Sequence, residues 1–299
     1  MNERKLLFIF NPKSGMGLIK NHLVDIVDMM VKAGFETTIY TTQERGDAIR
    51  KVVECGAHYD RIICSGGDGT LDEVVTGMRQ AKLHIPLGYI PAGSTNDFAK
   101  SLKIPNDMLK AAEIAVGENI FPCDVGQFND DTFVYIAGFG LFTEISYETP
   151  QELKNIFGHA AYLLSAAQSL ASIPNHMMQI EVNEDVLEGR FIYGMVTNSV
   201  SVGGFKGLTG KDIQLDDGEF EVTLIKYPTN VIELNEIISY LTGITSETSM
   251  VYSCKAKHIH IRSRKSVPWT LDGEYGGDHW DVDITNHYRK VNILVKEDE

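Results

Sequence analysis

The sequence predicts a parallel α/β domain followed by a mostly antiparallel β domain. Through residue 122, apolar runs of strand length alternate with segments of helical periodicity, as in parallel sheets covered by helices on both faces. From about Cys123 onward, short strand-like runs separated by turn residues predominate, which is typical of antiparallel sheets. We therefore place one domain at 1–122, which 288–299 would complete if the last strand joins its sheet, and the other at 123–287.

The composition favours a cytoplasmic protein. A formal net charge of −14 argues against non-specific nucleic-acid binding, which requires a basic surface, and against strong attachment to anionic membranes. The 4 cysteines are scattered without a CxxC pair, so we expect reduced thiols. The chain opens without a signal-peptide pattern and contains no apolar run of membrane-spanning length.

The elements predicted in the first domain alternate strictly. The strands are 5–10, 36–41, 61–65 and 86–90. The first helix ends near 33, the second spans 47–54, the third extends through 79 and the fourth begins near 97. The first helix has the clearest pattern, because Ile19, Leu23, Ile26, Val27 and Met30 share one face.

The turn at 65–70, of sequence SGGDGT, links a predicted buried strand to a helix. Its glycines let a ligand approach the backbone closely, and the helix N-terminus that follows favours a phosphate. The alternative is a purely structural turn, with Thr70 and Glu73 at the spacing of a capping box. That alternative leaves Asp68 unexplained, whereas a divalent cation between this carboxylate and the phosphates would account for it.

Two further glycine-bearing turns, at 11–17 and 91–97, also follow predicted strands. The carboxyl ends of parallel strands lie at one edge of a sheet, and ligands of such folds bind there. The three turns therefore predict a common phosphate-binding rim.

The second domain is predicted from shorter runs. Its strands are expected near 124–128, 133–137, 177–200, 219–226, 250–262, 267–271 and 279–285, with helical segments ending at 160–171 and one helix near 231–241. A final strand at 291–295 has no partner that the sequence reveals. Arg262, Arg264 and Lys265 form a small basic cluster, which is either a solvated loop or an edge that meets an anionic membrane.

Four ordered stretches resemble the diacylglycerol kinase catalytic family, in its soluble bacterial lipid kinase branch. They are 11–15 (NPKSG), 66–73 (GGDGTLDE), 93–98 (GSTNDF) and 271–274 (LDGE), with 216–218 (DDG) as a looser fifth. GGDGT alone is also similar to NAD kinases and 6-phosphofructokinases, whereas the ordered set is far more specific. The resemblance implies a Rossmann-like nucleotide domain, a β-sandwich lipid-substrate domain and an active site in the cleft between them.

By this resemblance the first domain would bind ATP and Mg²⁺. The residues assigned to ATP are Asn11, Pro12, Lys13, Ser14, Gly15, Thr42, Gly66, Gly67, Asp68, Gly69, Thr70, Leu71, Asp72 and Ser94. Other members often have Thr at the position of Ser94, where Thr95 is the neighbour here. Lys13 would contact a phosphate unless it is a solvated turn lysine. Asp68 and Asp97 would hold or orient the phosphate-bound Mg²⁺.

The resemblance also implies a separate structural Mg²⁺ near Asp217. Its ligands would be the carboxylate of Asp217 and the backbone carbonyls of Gln214 and Glu219, an oxygen set that suits a hard cation. The residues alone favour a plain turn at 216–218.

The resemblance finally assigns Asp272 and Glu274 as the group that accepts the proton of the attacking hydroxyl and its support. Their alternation would place both on one face of an extended segment, and two close carboxylates raise one pKa, which helps a base near neutral pH. The residues alone favour an exposed Asp-Gly turn. Which of the two acids is the base is left open.

Together these features predict an ATP-dependent lipid kinase that phosphorylates a hydroxyl of diacylglycerol or a related lipid, giving phosphatidic acid or its analogue. Such an enzyme would be cytoplasmic and peripheral to the membrane, meeting its lipid substrate transiently and binding no nucleic acid; a homodimer is left open. The alternatives are a NAD kinase and a non-catalytic nucleotide- or lipid-binding regulator on the same fold. The complete 271–274 motif, together with Asn11 and Pro12, weighs against a NAD kinase. The presence of the acidic positions, Asp272 and Glu274 among them, weighs against a regulator.

Overall fold

A computed structural model describes residues 4–141, 170–199 and 213–297 of the chain, without the side chain of Met16. The chain divides into two compact units. The first comprises Met1–Val125 with Tyr288–Glu299, and the second comprises Gly126–His287.

The first unit contains a parallel sheet whose strands are joined by helices. Its strands are β1 (Arg4–Phe10), β2 (Phe35–Thr41), β3 (Arg61–Gly66) and β4 (Leu87–Pro91), and its helices are α1 (Ile19–Lys32), α2 (Asp47–Cys55), α3 (Asp68–Gln80), α4 (Asp97–Ser101) and α5 (Met108–Val116). The strand order is β4-β3-β1-β2, and these pairings are parallel. β3 and β4 are buried throughout, as expected for strands with both faces covered.

The helices of this unit pack in two groups, with α1 against α5 and α2 against α3. The face predicted for α1 is its inner face, since Ile19, Ile26 and Met30 are fully buried and Leu23 and Val27 are half-buried. The apolar periodicity of the sequence therefore predicted the packing of this helix correctly.

The second unit is built from antiparallel strands. Its elements, with the two strands that it shares with the first unit, are β5 (Ile120–Phe128), β6 (Asp131–Phe133), β7 (Ile136–Gly140), β8 (His176–Val182), β9 (Asp185–Thr197), β10 (Phe220–Lys226), α6 (Val231–Leu241), β11 (Val251–Ala256), β12 (His258–Leu271) and β13 (Glu274–Leu294). The order is β11-β10-β9-β7-β12-β13, and β8 pairs with β9 and β12. The end of β13 lies in the first unit, where Ile293 pairs in parallel with Leu87 of β4.

Side chains from the two faces of these strands enter two apolar clusters. The rings of Phe128 and Phe139 each lie 4.9 Å from the ring of Trp269 in the larger cluster. On β9, Val196 belongs to this cluster and Met195 to the other, which also receives the inner face of α6. Alternation along the strands thus supplies both clusters, which is the pattern that the sequence shows after residue 123.

Four predicted strand boundaries in the second unit are wrong. The run predicted at 177–200 is two strands, β8 and β9, which pair antiparallel across the turn at 183–184. The run at 133–137 is interrupted, because the N–H groups of Val134 and Tyr135 donate to the carboxylate of Asp272 instead of a strand. The break predicted after 262 falls instead at Lys257, and β12 continues past 262 through a bulge. The runs at 279–285 and 291–295 belong to the single strand β13.

Part of the predicted pattern falls outside the described residues. This holds for the end of the 177–200 run and for the helical segment at 160–171 up to residue 169, after which Leu170–Ser172 forms a 3-10 turn. Among the helices in the described ranges, none combines the length and the apolar character needed to cross a membrane.

Candidate active site

The three glycine-bearing turns of the first unit contact one another. The N–H of Asn11 donates to the carbonyl of Ser65 at 2.9 Å, and the N–H of Ala92 donates to the carbonyl of Gly66 at 2.7 Å. Gly15, with a φ of +52°, lies so close to Ala92 that a Cβ would overlap the carbonyl oxygen there. The prediction that the three turns share one edge of the sheet is confirmed.

The central turn leads into the N-terminus of α3. Gly67 precedes the helix in an extended conformation, with φ −81° and ψ −176°, and no side chain caps this end. The first N–H groups of a helix have no partner within it, and the helix dipole is positive there. The buried hydroxyl of Tyr89 donates to the carbonyl of Gly66 at 3.2 Å and so fixes the strand end before the turn.

The capping box predicted for α3 is wrong, because Glu73 caps another helix. Its carboxylate accepts the N–H of Gly46 at 2.7 Å and the N–H of Ala48 at 3.1 Å, both at the start of α2. Gly46 has a φ of +81° and no side chain with which to cap that end itself. Glu73 therefore supplies the cap that α2 lacks and joins the two helices.

Asp68 and Asp97 form a buried acid pair beside this helix end. Oδ2 of Asp68 accepts the hydroxyl of Thr95 at 3.2 Å and the N–H of Asp97 at 3.3 Å. Oδ1 of Asp97 lies 3.1 Å from Nζ of Lys100. Burial, and then the charge of Asp97, raises the pKa of Asp68 to about 6. The α3 dipole opposes this rise, but such dipole effects amount to roughly 0.3–1 kcal/mol, so burial dominates.

The surroundings of Asp68 fit a divalent cation. Its Oδ1 is buried and accepts no hydrogen bond from any described residue, and a buried carboxylate oxygen is costly unless a cation or a donor meets it. Within the described ranges, no three His, Cys, Asp or Glu side chains converge as metal ligands. Mg²⁺ usually binds one or two carboxylates and takes its other ligands from water and phosphate oxygens, so a single acid with phosphates suffices.

The other residues predicted to bind nucleotide differ in exposure. Lys13 and Ser94 are exposed, whereas Leu71 is fully buried in the core, which leaves its backbone as the part that can meet a ligand. The N–H of Thr42 donates to the carbonyl of Phe10 at 3.0 Å, so Thr42 follows β2 beside the first turn. Pro12, Ser14, Gly69 and Asp72 are half-buried, and Thr70 is buried.

The sequence did not predict the structural roles of Thr95 and Asn96. Thr95 orients Asp68 through its hydroxyl, as described above. Asn96 has a φ of +50°, and its amide group accepts the N–H of Gly93 at 2.9 Å and donates to the carbonyl of Gly93 at 3.0 Å. Asn is one of the few residues that tolerate this conformation, so a GxxN spacing was the available signal.

In the second unit, Asp272 and Gly273 form the two-residue turn between β12 and β13. Their φ values of +49° and +83° fit the type I′ turn that Asp-Gly favours. The carboxylate of Asp272 is buried and accepts the N–H groups of Val134 at 2.6 Å, Tyr135 at 3.0 Å and Ile136 at 2.9 Å. Three such donors stabilise a negative charge and fix the turn against the segment that begins β7.

Asp272 and Glu274 do not lie on one face of an extended segment, so that prediction is wrong. The turn separates them, and Asp272 is 5% exposed whereas Glu274 is exposed at the start of β13. The alternative of an exposed Asp-Gly turn is wrong for Asp272 as well. Asp272 and Glu274 therefore have different surroundings, one buried and one exposed, and suit different roles.

The acids near Asp217 are neutralised by a lysine. Nζ of Lys255 lies 2.7 Å from Oδ2 of Asp217 and 3.5 Å from Oε1 of Glu221, and Oδ1 of Asp217 accepts the N–H of Glu219 at 3.0 Å. Burial raises the pKa of Glu221 to about 7, against the opposing charge of Lys255. Gln214 is exposed. With an ammonium against Asp217, this turn does not fit the structural Mg²⁺ that the resemblance implies.

Known proteins match nearly the whole chain. Residues 5–128 match the diacylglycerol kinase catalytic domain, and residues 143–284 match the YegS C-terminal NAD kinase beta sandwich-like domain. A diacylglycerol kinase of Bacillus subtilis (strain 168) is 34% identical over 99% of this chain and 98% of its own length. One of Staphylococcus carnosus (strain TM300) is 36% identical over 92% and 90%. The crystal structure of a diacylglycerol kinase from Bacillus anthracis str. Sterne has a TM-score of 0.76 at 25% identity, covering 99% of this chain and 98% of that one.

The three glycine-bearing turns and these matches define a lipid kinase, a phosphotransferase with an alcohol acceptor. The chain belongs to the diacylglycerol kinase family. The family expected from the four sequence motifs is confirmed, and so is the β-rich second part of the fold.

Proposed function

We propose that the chain transfers the γ-phosphoryl group of ATP to a hydroxyl of diacylglycerol or a related lipid, giving phosphatidic acid or its analogue. The observation that carries this proposal is the contact of the three glycine-bearing turns beside the buried pair Asp68 and Asp97 at the start of α3. The relatives named diacylglycerol kinase support the choice of acceptor.

The triphosphate of ATP is assigned to the rim made by 11–15, 66–72 and Ser94, with Thr42 beside it. Backbone N–H groups of glycine-rich turns and a helix N-terminus suit anionic phosphates. Phosphoryl transfer asks for positioning and charge neutralisation more than for covalent chemistry, so rigid turns held by mutual hydrogen bonds are the main requirement.

Mg²⁺ bound with ATP would neutralise charge that develops on the phosphates. Oδ1 of Asp68 is the oxygen that would meet it, directly or through water. The hydroxyl of Thr95 and the N–H of Asp97 hold Oδ2 of the same carboxylate, which gives Asp68 one orientation. Asp97 would orient water on the cation from its buried place beside Asp68.

Glu274 is assigned as the group that accepts the proton of the lipid hydroxyl. An accepting carboxylate needs access to the substrate, and Glu274 is exposed. Asp272 is a positioning residue, because its buried carboxylate is engaged by three backbone N–H groups and fixes the turn that precedes Glu274.

The test uses labelled ATP with Mg²⁺ and, as acceptor, either diacylglycerol in mixed micelles or NAD. We expect label in the lipid and none in NADP. Transfer should be lost in Asp97→Asn and retained in Asp25→Asn, a change at an exposed acid of α1. Label in NADP alone would make the chain a NAD kinase, and ATP binding without transfer to either acceptor would make it a regulator.

A further inference from the structure

Three of the seven residues that line a cavity in the second unit are cationic. It has a volume of about 380 Å³ and lies where the start of β8, the middle of β9 and the bulge of β12 meet. Arg190, Arg264 and Lys265 line it, together with polar groups that include Ser263 and His176. No residue assigned to phosphoryl transfer belongs to it.

The three cations of this cavity form no ion pair with any residue that the structure describes. The neighbouring Arg262, by contrast, lies 3.9 Å from a carboxylate oxygen of Glu181 and 3.6 Å from one of Asp281. Like charges that share a cavity repel one another unless an anion joins them. Arg190 lies 5.8 Å from the centre of the Tyr227 ring, but no described acid neutralises it or the other two cations. In a chain with a net charge of −14, three cations around one cavity without a described acidic partner indicate a binding site for an anion.

The bulge of β12 holds two of these cations in place. β12 and β13 pair at Arg262–Asp281 and again at Val267–His279, so residues 263–266 lie opposite Trp280 alone. The hydroxyl of Ser263 donates to the carbonyl of Lys265 at 2.5 Å and lies 3.4 Å from the carbonyl of Trp280. These contacts close the bulge on itself and keep residues 264 and 265 exposed at its tip.

The side chain of Trp280 identifies the kind of anion. It is 62% exposed beside the bulge, whereas the other tryptophan of the chain, Trp269, is 1% exposed. An exposed indole next to Lys and Arg is the combination found where proteins meet membranes, since the ring lies among the headgroups and the cations meet the phosphates. A small free anion would leave the exposed indole without a partner.

We infer that this cavity binds the phosphate of an anionic lipid headgroup and thereby docks the second unit on a membrane surface. The inference rests on the proposed function in one respect, namely that a lipid acceptor brings the chain to a membrane. The three cations of the cavity and the exposed indole beside the bulge offset the repulsion that an acidic chain meets at an anionic surface.

The test measures binding of the full chain, without ATP, to sedimented vesicles of phosphatidylcholine alone or mixed with phosphatidylglycerol. We expect binding to the mixed vesicles, which the double variant Arg264→Glu, Lys265→Glu weakens about tenfold or more. The matched control is Lys110→Glu, Lys257→Glu, which changes the net charge equally at exposed positions outside the cavity and should bind like the wild type.

Tryptophan emission gives a second readout in the folded wild type. Mixed vesicles should shift the emission to the blue, and Trp280→Phe should abolish the shift because Trp269 is already buried. Equal losses in both double variants, or binding of inorganic phosphate without binding of vesicles, would overturn the inference. Transfer to a monomeric short-chain diacylglycerol should persist in the cavity variant, so docking and phosphoryl transfer can fail separately.

Discussion

Gly67 and Gly93 face each other across two turns of the first unit, but they differ in how much space each leaves. A Cβ on Gly93 would lie 2.6 Å from the Cα of Gly67, whereas a Cβ on Gly67 would lie 3.4 Å from the Cα of Gly93. The first distance is a clash between two backbones, and the second is an ordinary van der Waals contact. The same substitution should therefore have different effects at the two positions.

We expect Gly93→Ala to lower the free energy of unfolding by roughly 1–3 kcal/mol, because the clash must push the turns apart. Gly67→Ala should keep the stability of the wild type and lower ATP affinity, since its methyl group would lie where α3 begins. Thermal unfolding and calorimetric titration with ATP measure the two effects. Equal stability losses in both variants would contradict the asymmetry.

The pKa of Asp68 predicts a stability that depends on pH. Its pKa is about 6 in the folded chain against an ordinary value of 3.8, so between these values the folded state holds a proton that the unfolded state releases. The resulting destabilisation is fully present above pH 6 and is lost as the pH falls toward 3.8. Asp68→Asn should therefore unfold at a higher temperature than the wild type at pH 8 in metal-free buffer.

The gain in stability of Asp68→Asn should be roughly 1–3 kcal/mol at pH 8 and should vanish only well below pH 3.8, where the unfolded chain also keeps the proton on Asp68. Calorimetry across this range checks the difference curve, which cancels the titration of the other acids. The same variant should lose phosphoryl transfer at every pH. If Asp68→Asn were less stable than the wild type at pH 8, burial would not be what controls the pKa of Asp68.

Glu73 offers a prediction about stability alone. Glu73→Gln leaves an acceptor for one of the two N–H groups at the start of α2 and sets an amide against the other, so it should cost about 1–2 kcal/mol. The control is Glu54→Gln at the exposed end of α2, which should unfold like the wild type. Chemical denaturation measures both. If Glu73→Gln cost nothing, the cap would be unimportant.

The alternation of the first unit could be predicted because each strand is a continuous apolar run between turn residues. The contacts of Glu73 could not, since its partner Gly46 lies 27 positions away on another helix. A capping-box spacing is a local pattern. In the structure, Glu73 instead accepts the N–H groups at the start of α2, whose own N-cap, Gly46, has no side chain. The convergence of the three turns, in contrast, followed from the general geometry of parallel sheets.

The second unit was harder to predict because its pairings are distant in sequence. Two adjacent residues suffice to predict the Asp-Gly turn. The N–H groups that donate to the carboxylate of Asp272 lie 136 to 138 positions earlier, so they could not be predicted. The sequence predicts two strands where the structure has the single 21-residue strand β13, because the polar run at 286–289 interrupts the apolar alternation. There the N–H of Arg289 donates to the carboxylate of Asp124 at 2.6 Å, a contact that no local pattern reveals.

Lys255 makes a prediction about metal dependence. With its ammonium against Asp217 and Glu221, Mg²⁺ without nucleotide should not change the melting temperature of the wild type through this site. Lys255→Met should lower stability, because two neighbouring carboxylates lose their cation, and Mg²⁺ should restore part of the loss. The matched control is Lys257→Met, which should be insensitive to Mg²⁺. A wild type stabilised by Mg²⁺, with the effect lost in Asp217→Asn, would establish the structural Mg²⁺ instead.

The two acids of the 271–274 motif should separate stability from catalysis. Asp272→Asn keeps the shape and tolerates the φ of +49°, but it sets an amide against backbone N–H groups that now donate to a carboxylate. Because hydrogen bonds to charged groups contribute about 1.5–3 kcal/mol, the second unit should lose stability of this order. Glu274→Gln changes an exposed group and should leave the melting temperature unchanged.

The order should be reversed for catalysis, with the larger loss of kcat in Glu274→Gln. Glu274→Gln should lower kcat for transfer to diacylglycerol by roughly 10²–10⁴, the usual contribution of a positioned base, with little change in the KM for ATP. Asp272→Asn should lose less once its folded fraction is taken into account, because its carboxylate positions the turn and does not take the proton. Steady-state rates at a temperature where both variants are folded measure this. A larger loss in Asp272→Asn than in Glu274→Gln would exchange the two assignments, making the buried acid the base.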